Sequence, residues 1–289
     1  MECRICSSKT KNLFFKNLLG KYKVNYYQCK KCKFLQTEEP YWLDEAYSSG
    51  AISALDTGII SRNLLLRRKT TNILLKLFND FLDFRALDYG GGEGIFTRMM
   101  RDLGYNFYRY DLYADNLYAR FFDLKDIPKG TRFDILTAFE VFEHLVEPLD
   151  EIKRMLNFSD VLLFSTELQP SEEKKELEDW WYVAPETGQH VSFYNVTSLE
   201  RIADILGLNL YTDHVSLHIL SKNELKNPFI KNEDIFIKPN LAKRIIKRLY
   251  NRLNKIEDKH SYTQLPPSLT LKDFEFVKRK LNNQENKSK

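Results

Sequence analysis

Apolar and polar positions change rhythm along this chain, and the changes mark its parts. From 61 to 82 apolar residues recur at helical spacing, with Leu65, Ile73 and Leu77 set among Lys69, Asn72 and Lys76, which predicts a long helix. Short β-branched or aromatic runs follow: RALDY at 85–89, NFYRYDL at 106–112, RFDILTAF at 132–139 and SDVLLFST at 159–166. Helical patterns fill the intervals between them, and strands alternating with helices predict an α/β fold with a doubly wound parallel sheet. Thr197-x-x-Glu200 reads as the capping box of a later helix, with Leu199, Ile202 and Leu206 on its apolar side and Gly207 as its stop. LNLYTDHV and SLHILSK then read as two further strands. Beyond 225 the texture turns Asn/Lys-rich with Pro punctuation, and two helices are expected, at 241–256 and 271–281.

The 289 residues are 43% hydrophobic and 29% charged, a globular composition with room for one large domain and a small accessory one. No run approaches the roughly 20 apolar residues of a bilayer span. The opening MECRICSSKT has no apolar core of the kind a secretory signal carries. These features lead us to expect a cytoplasmic protein, in a compartment where disulfides are rare. Charge is uneven. The whole chain is +4, but residues 225–289 carry 16 Lys/Arg against 7 Asp/Glu, which is +9 and leaves −5 for residues 1–224. A basic tail on an acidic body points to an anionic partner for the tail alone.

All four cysteines lie in the first 40 residues, as Cys3-x-x-Cys6 and Cys29-x-x-Cys32. Two such knuckles present four thiolates to one tetrahedral ion, and soft sulfur donors select zinc. Four protein ligands leave no open position, so the expected zinc is structural. It would compensate for a module too small to bury much core.

The sharpest motif is Asp88-Tyr89-Gly90-Gly91-Gly92-Glu93-Gly94, between a strand and a helix. Glycines at such a turn let backbone approach a ligand, and the helix N-terminus offers free N–H groups. The GxGxxG dinucleotide spacing fails, because Ile95 stands where the last glycine is required. D-x-G-G-G-x-G instead resembles motif I of class I S-adenosylmethionine-dependent methyltransferases, whose fold is a Rossmann-like sheet. The likeness continues through Asp111 at the end of the next strand, Asp123-Leu124, Phe139-Glu140, the run Glu140-Val141-Phe142-Glu143-His144-Leu145 and His190 with the residues after it, covering roughly 85–221. It implies cofactor contacts from Asp88, Gly90, Gly91, Gly92, Gly94, Asp111, Asp123, Leu124, Phe139 and Glu140. The Lys-Pro-Gly-Gly turn common in the family is replaced by Asn157-Phe158-Ser159-Asp160. A two-CxxC module ahead of such a domain also resembles bacterial methyltransferases of sugars and cell-surface glycans.

A hydroxyl acceptor must lose a proton, to a general base or through a metal ion. Glu140, Glu143 and His144 stand at i, i+3 and i+4, so a helix there would put them on one face. With His190 they are similar to the ligand set of metal-dependent O-methyltransferases that act on RNA ends and ubiquinone precursors, which implies Mg²⁺ or Mn²⁺. The competing reading leaves His190 as a lone base, with His144 and Glu143 beside it. His214 and His218, in late strands, read as structural. The segment from Trp180 to Gly188 has the aromatic density to stack on a sugar or cover the site, and equally to form an apolar plug.

These readings divide the chain into a zinc-ribbon module at 1–40, a helical connector at 41–84, a methyltransferase domain at 85–224 and a basic helical extension at 225–289. The function expected is methyl transfer to a sugar or glycan-linked hydroxyl. The alternatives are a non-catalytic scaffold of a glycan-assembly complex and an RNA 2′-O-methyltransferase. The stripe Leu241, Ile245, Leu249, Leu253 and Ile256 among lysines and arginines fits either a helix packed on the body or peripheral contact with the anionic inner face of the membrane. With an acidic body and no recognised nucleic-acid module, RNA is the weakest of the partners considered.

Overall fold

A computed structural model of the chain describes residues 1–48 and 56–230 and, near the C-terminus, 269, 272, 273, 275, 276 and 279. The stripe at 241–256 lies outside the described residues, as does most of the helix expected at 271–281.

Ten strands form two sheets. The smaller sheet comprises β1 (Thr10–Leu18), β2 (Tyr22–Cys29), β3 (Leu35–Thr37) and β8 (Ser192–Phe193), in that order and antiparallel throughout. The larger comprises β4 (Ala86–Tyr89), β5 (Phe107–Tyr110), β6 (Ile135–Ala138), β7 (Val161–Ser165), β9 (Asn209–Thr212) and β10 (Leu217–Ser221). Its order is β5-β4-β6-β7-β10-β9. The first four strands pair in parallel; β10 runs antiparallel to both its neighbours. The sheet is therefore α/β and Rossmann-like, parallel in its main part and antiparallel at one edge. Buried on both faces, β4, β6, β7 and β10 read as continuous apolar runs broken by a few buried polar side chains.

The helices are α1 (Leu43–Ser48), α2 (Ile59–Leu77), α3 (Ile95–Asp102), α4 (Pro148–Leu156), α5 (Lys174–Glu178) and α6 (Val196–Leu206). Two differ from the sequence pattern. α2 stops at Leu77 rather than 82, because Phe78 turns extended and its ring packs with Phe81 and Phe84 against the body. α6 is capped by Asn195 rather than Thr197. The Asn195 side chain accepts the Ser198 N–H at 2.8 Å, and the Ser198 hydroxyl accepts the Asn195 N–H at 2.9 Å. Gly207 ends this helix in the left-handed region, as the pattern predicts.

The two sheets are packed into one body. β3 pairs with β8, and Cys3, Cys29, Cys32 and Phe34 share a buried cluster with Leu136, Phe142, Leu162 and Tyr194. No described helix is long and apolar enough to cross a membrane.

Candidate active site

The C-terminal ends of the parallel strands open onto a cavity of about 1050 Å³. That is ample for a nucleoside-sized ligand and a second molecule beside it. The glycine loop forms one wall. The Gly92 N–H donates to Asp111 Oδ2 at 2.9 Å, so loop and strand-end carboxylate are adjacent. Asp111 Oδ1 accepts from the N–H groups of Tyr113 and Ala114, both at 2.8 Å, which fixes the next loop as well. Glycine is required here for two reasons. A Cβ on Gly91 would lie 2.6 Å from Asp88 Oδ2 and 2.8 Å from Arg109 Cγ. Gly92 has φ +53, a conformation L side chains rarely adopt, and the space at its Cα is open.

Asp88 lies beneath the loop. It is buried and accepts hydrogen bonds from Thr97 Oγ1 at 3.0 Å and Thr137 Oγ1 at 2.9 Å. Burial pushes its carboxyl up to about 7. Gly90, Gly91, Phe139 and Glu140 also line the crevice. Gly94 caps α3 with φ 90. Asp123 and Leu124 sit elsewhere: neither is on the crevice wall, and the Asp123 carboxylate accepts Arg109 Nε at 2.7 Å. Arg109 is the buried clip of this region, since its Nη1 also donates to the Gly92 and Ala114 carbonyls. Sequence reading missed it because an arginine in a short strand resembles a surface residue.

At the other end of the cavity the chain leaves β6 through Glu140, at φ 55, and forms a single 3-10 turn over Phe142–His144 rather than the helix expected. Glu140 is thereby separated from its presumed partners. Its Oε1 accepts the Ser165 hydroxyl at 2.7 Å, and Oε2 lies 3.6 Å from Arg62 Nε. Glu143, His144 and His190 do come together, with one ligand atom of each within 4.8 Å of the others. Pairing of the Val191 N–H with the Glu143 carbonyl at 2.8 Å draws the two segments side by side.

Each histidine of this trio is oriented by a second group. His190 Nδ1 lies 2.7 Å from the Tyr182 carbonyl, an acceptor only, so Nδ1 carries the proton and Nε2 keeps a bare lone pair. His144 Nδ1 meets the Tyr47 hydroxyl at 3.3 Å, and the two imidazoles stand perpendicular with centroids 5.0 Å apart. Burial lowers His144 to about 3 and His190 to about 4, so both are neutral at pH 7. Glu143 is fully buried, with no hydrogen-bond partner on either oxygen. Burial, and then the charge of Glu140, raise its carboxyl well above the usual range.

Tyr47 is a second residue that sequence reading missed. It arrives from α1 and stacks on Tyr113 of the loop after Asp111, centroids 5.2 Å apart and planes at 12°. Of the aromatic segment, Trp180 and Tyr182 pack into the body, whereas Trp181 is 73% exposed and lines the cavity. His218 is structural. It is buried, with Nδ1 2.7 Å from Thr212 Oγ1 and Nε2 3.1 Å from the Thr166 carbonyl. His214 lies in the turn before β10, its N–H bonded to Thr212 Oγ1.

The four cysteines converge at the base of the small sheet. Sγ–Sγ distances are 3.6 Å for Cys3–Cys32, 3.5 Å for Cys6–Cys29 and 3.6 Å for Cys6–Cys32. Thiolates 2.3 Å from a tetrahedral ion lie about 3.8 Å apart, so the set fits zinc. Backbone N–H groups of Ile5, Lys31 and Cys32 point at Cys3 and Cys29 sulfurs, as they do around metal knuckles.

The glycine turn and the strand-end carboxylate beside it thus share one wall of the cavity. Residues 61–213 match the family model described as a methyltransferase domain. The chain belongs to that family of methyltransferase domains. Among solved structures it is similar to the plantazolicin methyltransferase BpumL in complex with a monoazolic desmethylPZN analog and SAH, at 14% identity and TM-score 0.41, covering 63% of this chain and 93% of that one. It is also similar to an O-methyltransferase family 2 protein from Planctomyces limnophilus in complex with apigenin, at 14% identity and TM-score 0.44, covering 62% and 65%. A third is the mitomycin 7-O-methyltransferase MmcR, at 14% identity and TM-score 0.37, covering 59% and 60%. No curated protein matches the chain.

Proposed function

We propose that this protein methylates a hydroxyl of a sugar or glycan-linked acceptor, with His190 as the general base. The observation that carries this reading is the bare Nε2 of His190, held by the Tyr182 carbonyl on the acceptor side of the cavity. The glycine turn with Gly90, Gly91 and Gly92 and the Asp111 carboxylate would hold the cofactor, which supplies an electrophilic methyl carbon when bound. His190 is neutral across the physiological range, so it can accept the acceptor's hydroxyl proton without first losing one. Trp181 offers an exposed ring against which a sugar face can lie.

A second reading is favoured by Glu143. A buried carboxyl with two unpartnered oxygens beside two imidazole nitrogens is a donor set for Mg²⁺ or Mn²⁺. Such an ion would acidify the hydroxyl in place of the base, and the set consists of Glu143, His144 and His190 without Glu140. The cysteine quartet would hold structural Zn²⁺.

The test is transfer of labelled methyl to a panel of sugars, run with EDTA or with added Mn²⁺. Under the base reading, His190→Ala lowers kcat by about 10²–10⁴ and EDTA leaves the rate unchanged. Under the ion reading, EDTA abolishes turnover and Mn²⁺ restores it. Transfer to no sugar, while the protein binds S-adenosylhomocysteine, would remove the sugar acceptor.

A further inference from the structure

The acceptor end of the cavity has a charge pattern that restricts what can enter it. Of the described cations on its wall, Arg154 donates to Glu151 Oε2 at 2.9 Å, and the two on α2 are engaged as well. Arg62 forms two hydrogen bonds to Asp56, at 3.0 and 2.6 Å, and Lys69 lies 3.5 Å from Asp213. Glu140 and Glu167 remain on the wall, past the ends of β6 and β7. Glu167 makes no hydrogen bond or ion pair among the described residues, and Glu140 shares the already paired Arg62. Even with Glu143 counted as neutral, four carboxylates face the two cations of α2.

Half-buried carboxylates without cations are costly unless a ligand supplies the missing charge. Glu167 reports this cost. Its carboxyl is raised, first by burial and then by repulsion from Glu140 and Asp213, with Lys69 opposing. A separate observation concerns the same chamber: the fully buried Glu143 is among its lining residues, and neither of its oxygens has a hydrogen-bond partner. A phosphate or carboxylate entering here would meet like charges and, among the described residues, no free cation. An ammonium group would meet carboxylates, with the exposed Trp181 ring at the rim offering the aromatic face that cations and sugar rings both favour.

We propose that the acceptor is an amine-bearing sugar, its ammonium group held by Glu167 with Glu140 and its ring laid on Trp181. The proposal rests on the sugar reading of the site and narrows it, because phosphorylated sugars are excluded from the chamber. Glu167 is then a specificity-determining residue with no part in the proton transfer.

The experiment is calorimetric titration of the full chain, saturated with S-adenosylhomocysteine, with glucosamine, glucose and glucose 6-phosphate at low salt. Glucosamine is expected to bind about tenfold more tightly than glucose, a difference of about 1.4 kcal/mol, and glucose 6-phosphate more weakly than either. Glu167→Gln should remove the preference for glucosamine over glucose while leaving the affinity for S-adenosylhomocysteine unchanged, which also shows that the variant is folded. Equal or tighter binding of glucose 6-phosphate, no binding of glucosamine at millimolar concentration, or an undiminished glucosamine preference in Glu167→Gln would each overturn the proposal. Methyl transfer to a phosphorylated sugar would overturn it too, yet leave sugar methylation standing; transfer to no sugar at all would strike the broader reading.

Discussion

At the scale of single residues, the cofactor wall depends on atoms too close for substitution. Gly91→Ala would drive a methyl group against the Asp88 carboxylate and the Arg109 stem, both fixed by buried hydrogen bonds. We expect this variant to lose at least about tenfold in affinity for S-adenosylhomocysteine, some 1.4 kcal/mol, as measured by calorimetry. His218 gives a prediction about stability. Its folded value, about 4, lies below the unfolded value near 6.5, so the native state binds fewer protons between those limits. Stability from this residue is therefore fully present above about pH 6.5 and is lost as pH falls toward 4, by about 3 kcal/mol at most. Across that range the denaturant midpoint should fall less steeply in His218→Gln than in the wild type, with His144 and His190 keeping their own share of the slope, and should fall as steeply if the assignment is wrong. Some of this was legible beforehand. The glycines and Asp111 carry their signal in spacing, whereas Arg109 and Tyr47 meet Asp123 and His144, 14 and 97 positions away, and leave no local pattern that would reveal those contacts.

At the scale of elements, the small sheet does more than gather the four cysteines. The hairpin tip after β1 bonds the loop that carries His190, through the Leu19 N–H to the Pro185 carbonyl at 3.0 Å. Trp42 donates to the Gly188 carbonyl at 2.7 Å, and Gln189 Nε2 to the Ala46 carbonyl at 2.9 Å. A zinc at the cysteine quartet would therefore support the acceptor side, while the glycine loop is braced independently by Arg109. We expect metal analysis to find one zinc per chain. Cys32→Ser should lower the unfolding temperature and cut methyl transfer far more than it weakens S-adenosylhomocysteine binding; parallel losses in both would contradict this division. Strand positions were readable because buried parallel strands are short apolar runs. The 3-10 turn at Phe142–His144 was not, since Glu140 enters it through a left-handed conformation that sequence spacing does not reveal. The spacing Glu-x-x-Glu-His suggested three ligands on one helix face with His190 as a fourth, and the turn gathers Glu143, His144 and His190 without Glu140.

At the scale of the whole molecule, the described C-terminal residues clasp the back of the methyltransferase body. Asp273 is buried and accepts from Arg101 Nε at 2.7 Å, Arg101 Nη2 at 2.8 Å and Arg98 Nη2 at 2.9 Å, while Phe276 packs on Phe122. Arg101 is itself buried, so Asp273→Ala would leave its charge without a carboxylate among the described residues, bonded only through Nη1 to Asn106 Oδ1 and the Phe107 carbonyl. We expect a loss of about 3–5 kcal/mol in denaturant unfolding; an unchanged midpoint would mean that the clasp contributes nothing. The strong net charge of residues 225–289 was visible in composition, but its use as an anchor was not, because Asp273 is an acidic exception in a basic segment. The division of labour across the molecule is then a braced glycine loop on one side of the cavity and an acceptor wall tied to the cysteine module on the other.

The proposed function places the sulfonium nucleoside where the glycine turn and the Asp111 carboxylate meet, and one titration tests that directly. Calorimetry of the purified full chain with S-adenosylhomocysteine should give a single site per chain, and Asp111→Ala should weaken it at least tenfold, about 1.4 kcal/mol. No binding to the wild-type protein, or binding that Asp111→Ala leaves intact, would contradict the account.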